Sequence, residues 1–306
     1  MVKMPCPCCT APCVLYAPGT TTAQAYFAQS TYSISNGRGR ELLDVWSCKA
    51  CGHGFTPVTK VDEAHILRWY ASSPKDETYM HEKAGRRKTA RTILHRLAHI
   101  VDAPGKALDI GAGPGFFVEE AVQAGWDAEG LEAAEWAVTE YARRTGAARI
   151  RHGTTDALAT YPPSTYDLVT AFDVIEHLAD PFTFVTRCAK LLAPGGILVL
   201  TTPRFDSLAA KLLGSRWHCM IPAHLHYFSR CSLQAALHGA GLTILRTRHH
   251  TRYFSFAYLL QFFRRYVRAR FGGKAEMSDE KPGSPSTGLL LPINLRDEWE
   301  VYAVKG

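Results

Sequence analysis

The stretch Leu108-Asp109-Ile110-Gly111-Ala112-Gly113-Pro114-Gly115 joins a short apolar run with one acid to three glycines spaced two residues apart. The apolar residues suit a buried parallel strand, and the glycines let the backbone turn tightly and approach a ligand where a Cβ would collide. A dinucleotide-binding fingerprint places its third glycine three residues after the second, whereas Gly115 comes one residue earlier. The stretch therefore predicts a loop that binds a nucleotide-type cofactor, with a glycine spacing that differs from the dinucleotide-binding fingerprint.

The chain of 306 residues is 46% hydrophobic and 21% charged, which is typical of a globular protein with roughly two domains. It contains no run of about 18 apolar residues, and its N-terminus lacks the apolar region of a signal peptide. We therefore expect a cytoplasmic protein without a transmembrane segment.

The net charge of +7 is concentrated in one segment. Without the eight basic residues of this segment, which contains no Asp or Glu, the net charge is −1. These residues are Arg246, Arg248, Arg252, Arg264, Arg265, Arg268, Arg270 and Lys274. The basic character thus belongs to one local element and says little about the whole surface.

Six of the nine cysteines lie in the first 51 residues: Cys6, Cys8, Cys9, Cys13, Cys48 and Cys51. In a reducing compartment, two C-x-x-C pairs favour thiolate ligands over disulfides. Cys6, Cys9, Cys48 and Cys51 fit the two knuckles of a Cys₄ zinc ribbon, with a hairpin of residues 31–34 and 42–46 between them. Cys8 or Cys13 in the first knuckle and His53 as fourth ligand are alternatives, as are four buried thiols without a metal.

After this segment, strand and helix patterns alternate. Helices are predicted at 61–70, 84–101, 116–124 and 135–144, and strands at the residues up to Ile110 and at 129–131, 166–171, 196–201, 242–245 and 299–304. Such alternation is typical of a Rossmann-like, doubly wound α/β sheet, which binds ligands at the carboxyl ends of its strands. The predicted boundaries are a zinc ribbon at 1–60, a helical connector at 61–105, the Rossmann-like core at 106–250, a helical insertion and loop at 251–290, and a last core strand at 291–306.

Three further signals follow the glycine loop in order. Glu132 lies 17 residues after Gly115, where such folds bind ribose, because a carboxylate accepts from two vicinal hydroxyls; the alternative is a solvated acid at a helix start. Then come Phe172-Asp173-Val174-Ile175-Glu176-His177-Leu178-Ala179-Asp180-Pro181 and Leu191-Leu192-Ala193-Pro194-Gly195-Gly196-Ile197. With the glycine loop, these D-x-x-E-H-L-x-D-P and L-x-P-G-G patterns resemble the ubiquinone-biosynthesis-like group of class I S-adenosylmethionine-dependent methyltransferases. The resemblance is close over residues 106–230 and looser over the cysteine-rich N-terminus.

The resemblance implies which residues bind the cofactor. S-adenosylmethionine contacts are implied at Asp109, Gly111, Gly113 and Gly115, ribose contacts at Glu132, and packing on the cofactor side around Phe172 and Asp173. For the adenine, the resemblance implies a residue just after the third strand, where Thr154, Thr155 and Asp156 are the candidates.

The sulfonium of this cofactor already activates the methyl group, so the protein aligns a displacement and, for an oxygen acceptor, removes a proton. Histidine is the natural base. His224 and His226 lie in a segment, His224-Leu225-His226-Tyr227-Phe228, that is similar to one beside the family's substrate pocket, and His177 is a third candidate. The alternative for each is a core or helix-cap histidine. Some relatives bind a divalent cation through E-x-x-E-H, and Asp173 in the first position argues against such a metal here.

The basic segment predicts a helix from Tyr253 to Phe271. Its apolar stripe consists of Phe256, Leu259, Leu260, Phe263 and Val267, with Arg264, Arg265, Arg268 and Arg270 outside it. We favour a cap over the acceptor pocket; an interfacial helix on anionic lipid and a nucleic-acid arm are the alternatives.

The sequence thus predicts an S-adenosylmethionine-dependent methyltransferase with a structural zinc ribbon. Its expected partner is a small-molecule acceptor such as a sugar, a quinone-like phenol or a specialised metabolite. An RNA methyltransferase is the alternative, but the ribbon lacks aromatic residues interleaved with basic ones, so nucleic acid is not the favoured partner. A second alternative is a non-catalytic cofactor-binding scaffold. The acceptor, the methylated atom and the oligomeric state stay open.

Overall fold

The computed structural model describes residues 4–29, 42–260 and 288–306. Its strands, in chain order, are β1 (Met4–Pro5), β2 (Pro12–Ala17), β3 (Val45–Cys48), β4 (Gly54–Phe55), β5 (Lys106–Ile110), β6 (Asp127–Glu132), β7 (Ile150–His152), β8 (Tyr166–Phe172), β9 (Leu192–Pro203), β10 (His226–Tyr227), β11 (Leu242–His249), β12 (Arg252–Ser255), β13 (Leu290–Ile293) and β14 (Glu298–Lys305). Its helices are α1 (Ala23–Gln29), α2 (Lys60–Ala71), α3 (Glu77–His81), α4 (Lys83–Leu97), α5 (Phe116–Gln123), α6 (Glu135–Thr145), α7 (Pro181–Leu191), α8 (Leu208–Leu213) and α9 (Arg230–Gly239).

The central sheet has seven strands in the order β11-β14-β9-β8-β5-β6-β7. Strands β5 to β9 are parallel, and β14 runs antiparallel to both of its neighbours. The strand order reverses at β5, which pairs with β6 on one side and with β8 on the other. This confirms the predicted Rossmann-like α/β fold, and the reversal is where ligands bind in such sheets.

Helices cover both faces of the sheet. Side chains of α7 and α9 pack on one face, including Phe184, Val185 and Leu237. Side chains of α4, α5 and α6 pack on the other, including Leu97 and Val118. Because both faces are covered, the central parallel strands β5, β8 and β9 are mostly buried and apolar.

At two helices, α2 and α7, local side chains determine where the helix begins. The Thr59 side chain accepts from the Asp62 backbone N–H, and the Asp62 carboxylate accepts from the Thr59 N–H, a reciprocal capping box that begins α2. Asp180 caps α7 by accepting from the Thr183 N–H, and Pro181 takes the first helical position. The Asp180-Pro181 pair of the quoted motif is therefore a helix start.

The N-terminal segment is joined to the core by a shared sheet. Its strands form a five-stranded sheet in the order β1-β2-β3-β4-β10, and β10 belongs to the core segment. The predicted boundary at residue 60 therefore does not separate two independent sheets. The first arm of the predicted hairpin, residues 31–34, lies outside the described residues, and its second arm begins as strand only at Val45.

The segment predicted as a helical insertion, residues 251–290, begins with a strand. Residues 252–255, predicted to begin a helix, form strand β12, which pairs antiparallel with β13. Thr89 and Glu82 hold this strand against α4: Thr89 Oγ1 accepts from the Tyr253 N–H, and the Glu82 carboxylate from the Ser255 N–H and Oγ. These long-range bonds override the local helical pattern. Residues 256–260 are helical, and the rest of the predicted apolar and basic stripe, residues 261–271, lies outside the described residues.

Candidate active site

The glycine loop connects β5 to α5 at the reversal point of the sheet. Gly111, Gly113 and Gly115 all have positive φ, at 72°, 52° and 78°. A Cβ on Gly111 would lie 2.5 Å from Val174 Cγ2, and one on Gly115 would collide with the Tyr141 ring. Both the backbone conformation and the packing therefore require glycine, as the sequence predicted.

Asp109 lies under this loop with only 4% of its surface exposed. Its Oδ1 accepts a hydrogen bond of 2.7 Å from Thr170 Oγ1 on the neighbouring strand β8. Burial raises the pKa of Asp109 to about 7, against the opposing hydrogen bond from Thr170. A carboxylate buried without a full countercharge is suited to hold a cationic ligand group.

Glu132, at the end of β6, reaches back to the glycine loop. Its Oε2 accepts from the Gly113 N–H at 2.7 Å, and its Oε1 accepts from the Ala134 N–H at 2.7 Å. Burial raises its pKa, while these backbone donors oppose the shift. The two bonds orient the carboxylate in the loop, and each oxygen keeps a second lone pair for a hydroxyl of a ligand.

Two residues that the sequence analysis missed face the same loop. The Tyr79 hydroxyl would lie 3.2 Å from a Cβ on Gly113, and the Arg86 guanidinium lies 3.3 Å from the centre of the Tyr79 ring. Burial raises the pKa of Tyr79, which Arg86 opposes and the charges of Glu132, Asp173 and Asp109 reinforce. Tyr79 is thus surrounded by the predicted cofactor residues.

Arg86 supplies a positive charge at this acidic site. Its Nε is buried and has no hydrogen-bond partner within the described residues. A buried guanidinium donor without an acceptor carries a desolvation cost that an anionic ligand group would offset. No local motif marked Tyr79 or Arg86, because both come from the helices before the sheet and reach the loop only through tertiary packing.

Asp173 follows β8 in a left-handed conformation, with φ of 55°. Its Oδ1 accepts from Thr201 Oγ1 at 2.8 Å and its Oδ2 from Arg252 Nη2 at 2.8 Å, while Arg252 Nε donates to Glu298 Oε2. Burial opposes ionisation, but the charge of Arg252 holds the pKa of Asp173 well below its usual range. The strained backbone is therefore held by a charge-assisted network.

His177 and His224, which we call the acceptor-side histidines, lie next to each other. Their ring centres are 4.6 Å apart in an edge-to-face arrangement. His177 Nδ1 lies 2.8 Å from Ala223 O and His224 Nδ1 lies 2.8 Å from Cys219 O. Because a carbonyl oxygen only accepts, His224 Nδ1 carries the hydrogen and His224 Nε2 keeps its lone pair. His177 Nδ1 also lies 2.7 Å from the Tyr70 hydroxyl, so a carbonyl and a hydroxyl share this nitrogen.

The surroundings keep both rings neutral. Burial lowers the pKa of His177, and burial together with the charge of His177 lowers that of His224 well below its ordinary value. The neutral His224 imidazole, whose tautomer is fixed by the Cys219 carbonyl, is able to accept a proton at Nε2.

His226, the third predicted base, has both ring nitrogens engaged. Its Nδ1 lies 3.0 Å from His53 Nε2, and its Nε2 lies 3.3 Å from Ala179 O. Burial lowers its pKa to about 4. This placement does not suit the predicted role of His226 as a base, and it also engages His53, the alternative metal ligand.

The other cofactor candidates differ in their placement. The Phe172 ring packs edge-to-face on Phe117 at 4.9 Å, beside the loop. Asp156 lies in the turn after β7, but its side chain is 73% exposed and pairs with Arg187 at 2.8 Å. The adenine contact therefore stays a prediction, with Thr154 and Thr155 in the same turn.

The D-x-x-E-H residues do not assemble a cation site of the E-x-x-E-H type. Both oxygens of Asp173 are bonded, and Arg252 already supplies the positive charge. Glu176 is fully buried, and burial and the charge of Asp173 raise its pKa well above the ordinary value. Glu176, His177 and His224 place one ligand atom each within 4.8 Å of one another, but Glu176 Oε2 already accepts from Thr202 Oγ1 at 3.0 Å, and the raised pKa of Glu176 disfavours the anion that metals bind.

The predicted thiol ligands meet in space. Cys6, Cys9, Cys48 and Cys51, the cysteine cluster, bring their sulfur atoms within 4.8 Å of one another. Cys6 Sγ lies 3.6 Å from Cys51 Sγ, and Cys9 Sγ lies 3.5 Å from Cys48 Sγ. Four sulfurs at about 2.3 Å from a tetrahedral Zn²⁺ are roughly 3.8 Å apart, so these separations suit the ion.

Within the cysteine cluster, the pKa of Cys48 is lowered, whereas burial raises the pKa of Cys6 and Cys51. Burial opposes ionisation of Cys48, but backbone N–H groups of Cys51 and Ala50 lower its pKa to about 7. The Cys8 N–H donates to Cys6 Sγ at 3.4 Å. Thiolates are the form that binds metal, and Cys8 and Cys13 stand outside the converging four.

Comparison with known proteins places this geometry in context. The family described as a methyltransferase domain matches residues 81–247, more than half of the chain. Curated relatives named ubiquinone biosynthesis O-methyltransferase are 35% identical over 140 residues in Methylococcus capsulatus and 32% identical over 133 residues in Leptothrix cholodnii. These matches cover 43% and 41% of this chain, and 59% and 57% of the relatives, so the chain spans less than two thirds of their length.

A solved structure supports the fold. It is described as a sarcosine dimethylglycine methyltransferase of Galdieria sulphuraria, with a TM-score of 0.50 and 19% identity, covering 72% of this chain and 86% of that one. Across the described ranges, no helix has the length and apolarity needed to cross a bilayer.

Proposed function

We propose that this chain, which belongs to the family of methyltransferase domains, is an enzyme that transfers a methyl group from S-adenosylmethionine to a small-molecule acceptor. The observation that carries the proposal is the glycine loop with Asp109, Glu132 and Arg86 around it, next to a pair of neutral histidines. When bound, the cofactor supplies a methyl group that its positively charged sulfur has already activated.

In the donor half of the site, complementary charges and hydrogen bonds would hold S-adenosylmethionine. The Glu132 carboxylate suits the ribose hydroxyls, and the half-buried Arg86, whose Nε lacks an acceptor, suits the carboxylate of the methionine part. Asp109 has no charged partner, so its ionised carboxylate would favour a cationic donor over a neutral product. The three glycines let the backbone come close to the ligand.

The acceptor half would be served by the acceptor-side histidines. For an oxygen acceptor, Nε2 of His224 takes the hydroxyl proton as the oxygen becomes nucleophilic, and the Nδ1–H of His224 is held by the Cys219 carbonyl. His177, whose Nδ1 contacts both the Ala223 carbonyl and the Tyr70 hydroxyl, is the second candidate. A phenol or a similar hydroxyl compound is the acceptor class that fits a neutral base, and curated relatives named ubiquinone biosynthesis O-methyltransferase support this choice. The sugar and specialised-metabolite alternatives stay proposals of the same small-molecule class.

The activity is tested with labelled S-adenosylmethionine and a cell extract, with and without ribonuclease. We expect label in the small-molecule fraction irrespective of ribonuclease. His224→Asn should lose at least about 100-fold of the rate, whereas the matched variant His238→Asn, on the exposed side of α9, should keep it. Label that disappears with ribonuclease would favour an RNA methyltransferase, and donor binding without transfer to any fraction would favour a scaffold.

We also propose that the cysteine cluster holds a structural zinc ion. Its four-thiolate donor set closes the coordination sphere, so the ion would supply folding energy and no chemistry. Freshly reduced protein should contain about one equivalent of zinc. Cys48→Ser should lose it, and Cys8→Ser should keep it, because Cys8 stands outside the cluster. Substoichiometric metal in the unaltered protein would contradict the assignment.

A further inference from the structure

The N-terminal ribbon, which we define as residues 4–17 and 45–56, is fastened to one particular segment of the core. Strand β4 pairs with β10, so that Phe55 faces His226 and Gly54 faces Tyr227. The Thr56 N–H donates to Leu225 O at 2.8 Å. At the other end of the same segment, Ser229 Oγ donates to Cys51 O at 2.6 Å. Residues 225–229 are thus held by the ribbon along their whole length.

A buried hydrogen-bond chain crosses the same junction. His226 Nε2 lies 3.3 Å from Ala179 O, and since a carbonyl only accepts, Nε2 carries the hydrogen and Nδ1 accepts. His53 Nε2 must then donate to His226 Nδ1 at 3.0 Å, which leaves His53 Nδ1 to accept from Ser232 Oγ at 3.3 Å. Both rings are buried, with exposures of 0% and 4%. The hydrogen bonds from His53 to His226 and from His226 to Ala179 therefore donate in one direction, which fixes the tautomers of both rings.

Both ends of this junction reach the acceptor-side histidines. Leu225, which accepts from Thr56, donates its own N–H to Glu176 O at 2.7 Å, so it lies directly between the ribbon and the turn that carries His177. Leu225 also follows His224 in the chain. Ala179, which accepts from His226, lies two residues beyond His177 in the same connection. The fastened segments therefore carry the two candidate bases, whereas the glycine loop lies on other elements.

We infer that the ribbon is a part of the acceptor site: through His53 and His226 it positions His177 and His224, and it does not act on the donor loop. This inference rests on the proposed function for its consequence, which is control of acceptor use. His53 and His226 are positioning residues. The cysteine cluster closes the ribbon beside His53, so its integrity determines the geometry of bases that lie 124 and 171 residues after His53 in the sequence.

Hydrogen–deuterium exchange of the full chain tests this inference without an acceptor. His53→Ala should speed exchange about tenfold or more in peptides covering 175–180 and 223–229, and should leave the peptide covering 108–118 unchanged. His53→Gln, whose amide offers both a donor and an acceptor, should restore much of the protection. His95→Ala, an exposed histidine on α4, is the matched control and should change neither region.

Double-variant and binding measurements make the test specific. If one hydrogen-bond chain joins the two rings, the double variant His53→Ala/His226→Ala should speed exchange little more than either single variant does. Calorimetry with S-adenosylhomocysteine should give a Kd within about twofold of the unaltered protein for both single variants. In the acceptor fraction identified by labelling, kcat should fall and the acceptor KM should rise, and His53→Gln should recover part of both.

The possible results are distinct. Unchanged exchange at 223–229 in His53→Ala, or a loss of protection centred on the glycine loop with weaker donor binding, would overturn the inference. If the unaltered protein methylated nothing, the proposed function would fail, but the exchange pattern would still decide whether the ribbon positions these histidines.

Discussion

Replacing Asp109 by Asn should stabilise the free protein at neutral pH while it removes donor binding. Asp109 is buried, and its pKa is raised from 3.8 to about 7. Asn is nearly isosteric and neutral, and its Oδ1 can still accept from Thr170 Oγ1. The variant thus removes a buried negative charge without opening a cavity.

The magnitude follows from linkage between ionisation and folding. The folded state holds the Asp109 proton up to about pH 7, whereas the unfolded chain releases it near 3.8. Stability from this group is therefore fully present below pH 3.8 and is lost as the pH rises through 7. About three pKa units at 1.36 kcal/mol each set a ceiling of about 4 kcal/mol. We expect Asp109→Asn to gain about 2–4 kcal/mol on the parent between pH 4.5 and pH 8.

Urea unfolding of the parent and the variant at both pH values measures this difference, because other titrating groups cancel in the comparison. Thermal unfolding should show a gain of roughly 4–8 °C at pH 8, at about 2 °C per kcal/mol for a chain of this size. Asp127→Asn, an exposed aspartate on β6, is the matched control and should stay within about 0.5 kcal/mol at both pH values.

Donor binding supplies the second half of the measurement. S-adenosylhomocysteine should raise the melting temperature of the parent and not that of Asp109→Asn, although the variant is the more stable protein when free. A stability difference that is equal at pH 4.5 and pH 8, or a variant that is less stable at pH 8, would refute the reasoning about buried charge. Undiminished donor affinity would refute the assignment of the loop.

Three further outcomes are expected. Gly115→Ala should cost about 3 kcal/mol or more in urea unfolding, because it combines a left-handed backbone with a collision in the core, whereas Gly146→Ala, also at positive φ but with open space around it, should cost only about 1–2 kcal/mol. Arg86→Gln should weaken S-adenosylhomocysteine binding by about 10-fold or more and leave adenosine, which lacks the carboxylate, unaffected in calorimetry. Because burial lowers the pKa of His224, kcat at saturating S-adenosylmethionine and acceptor should stay flat as the pH falls from 8 to 6.5 and decline only in more acid solution. An inflection of kcat at 6.5 or above would contradict the neutral base, whereas kcat/KM also reports the ionisation of Asp109 in the free enzyme.

Much of the fold was predictable because its signals are local. The apolar strand before Gly111, the Asp180-Pro181 helix start and the Pro194-Gly195-Gly196 turn each act within a few residues. The boundaries nevertheless shifted where tertiary bonds compete: the helix predicted from Ala84 to Val101 ends at Leu97, and the helix predicted from Tyr253 begins as strand β12. Pairing with β13 and the bonds to α4 outweigh the local pattern there.

The candidate site was predictable only in part. The glycines and Glu132 come together because the carboxyl ends of adjacent parallel strands share one edge of the sheet. Tyr79 and Arg86 carried no motif, since their positions depend on how α3 and α4 pack. The roles of the histidines depend on which ring nitrogen faces a carbonyl, and no spacing in the sequence encodes that.

By itself, the sequence predicted the glycine loop, the alternation of strands and helices around it and the two C-x-x-C pairs, because glycine spacing, strand periodicity and cysteine spacing are short-range constraints on the backbone. Only the tertiary structure decided that Arg252 neutralises Asp173 across 79 residues, and that β10 completes the ribbon's sheet. The same packing gives His226 a partner in His53 and leaves His224 Nε2 with its lone pair. The physical reason is that burial and hydrogen-bond direction assign a histidine its role, and both arise only when distant segments pack together.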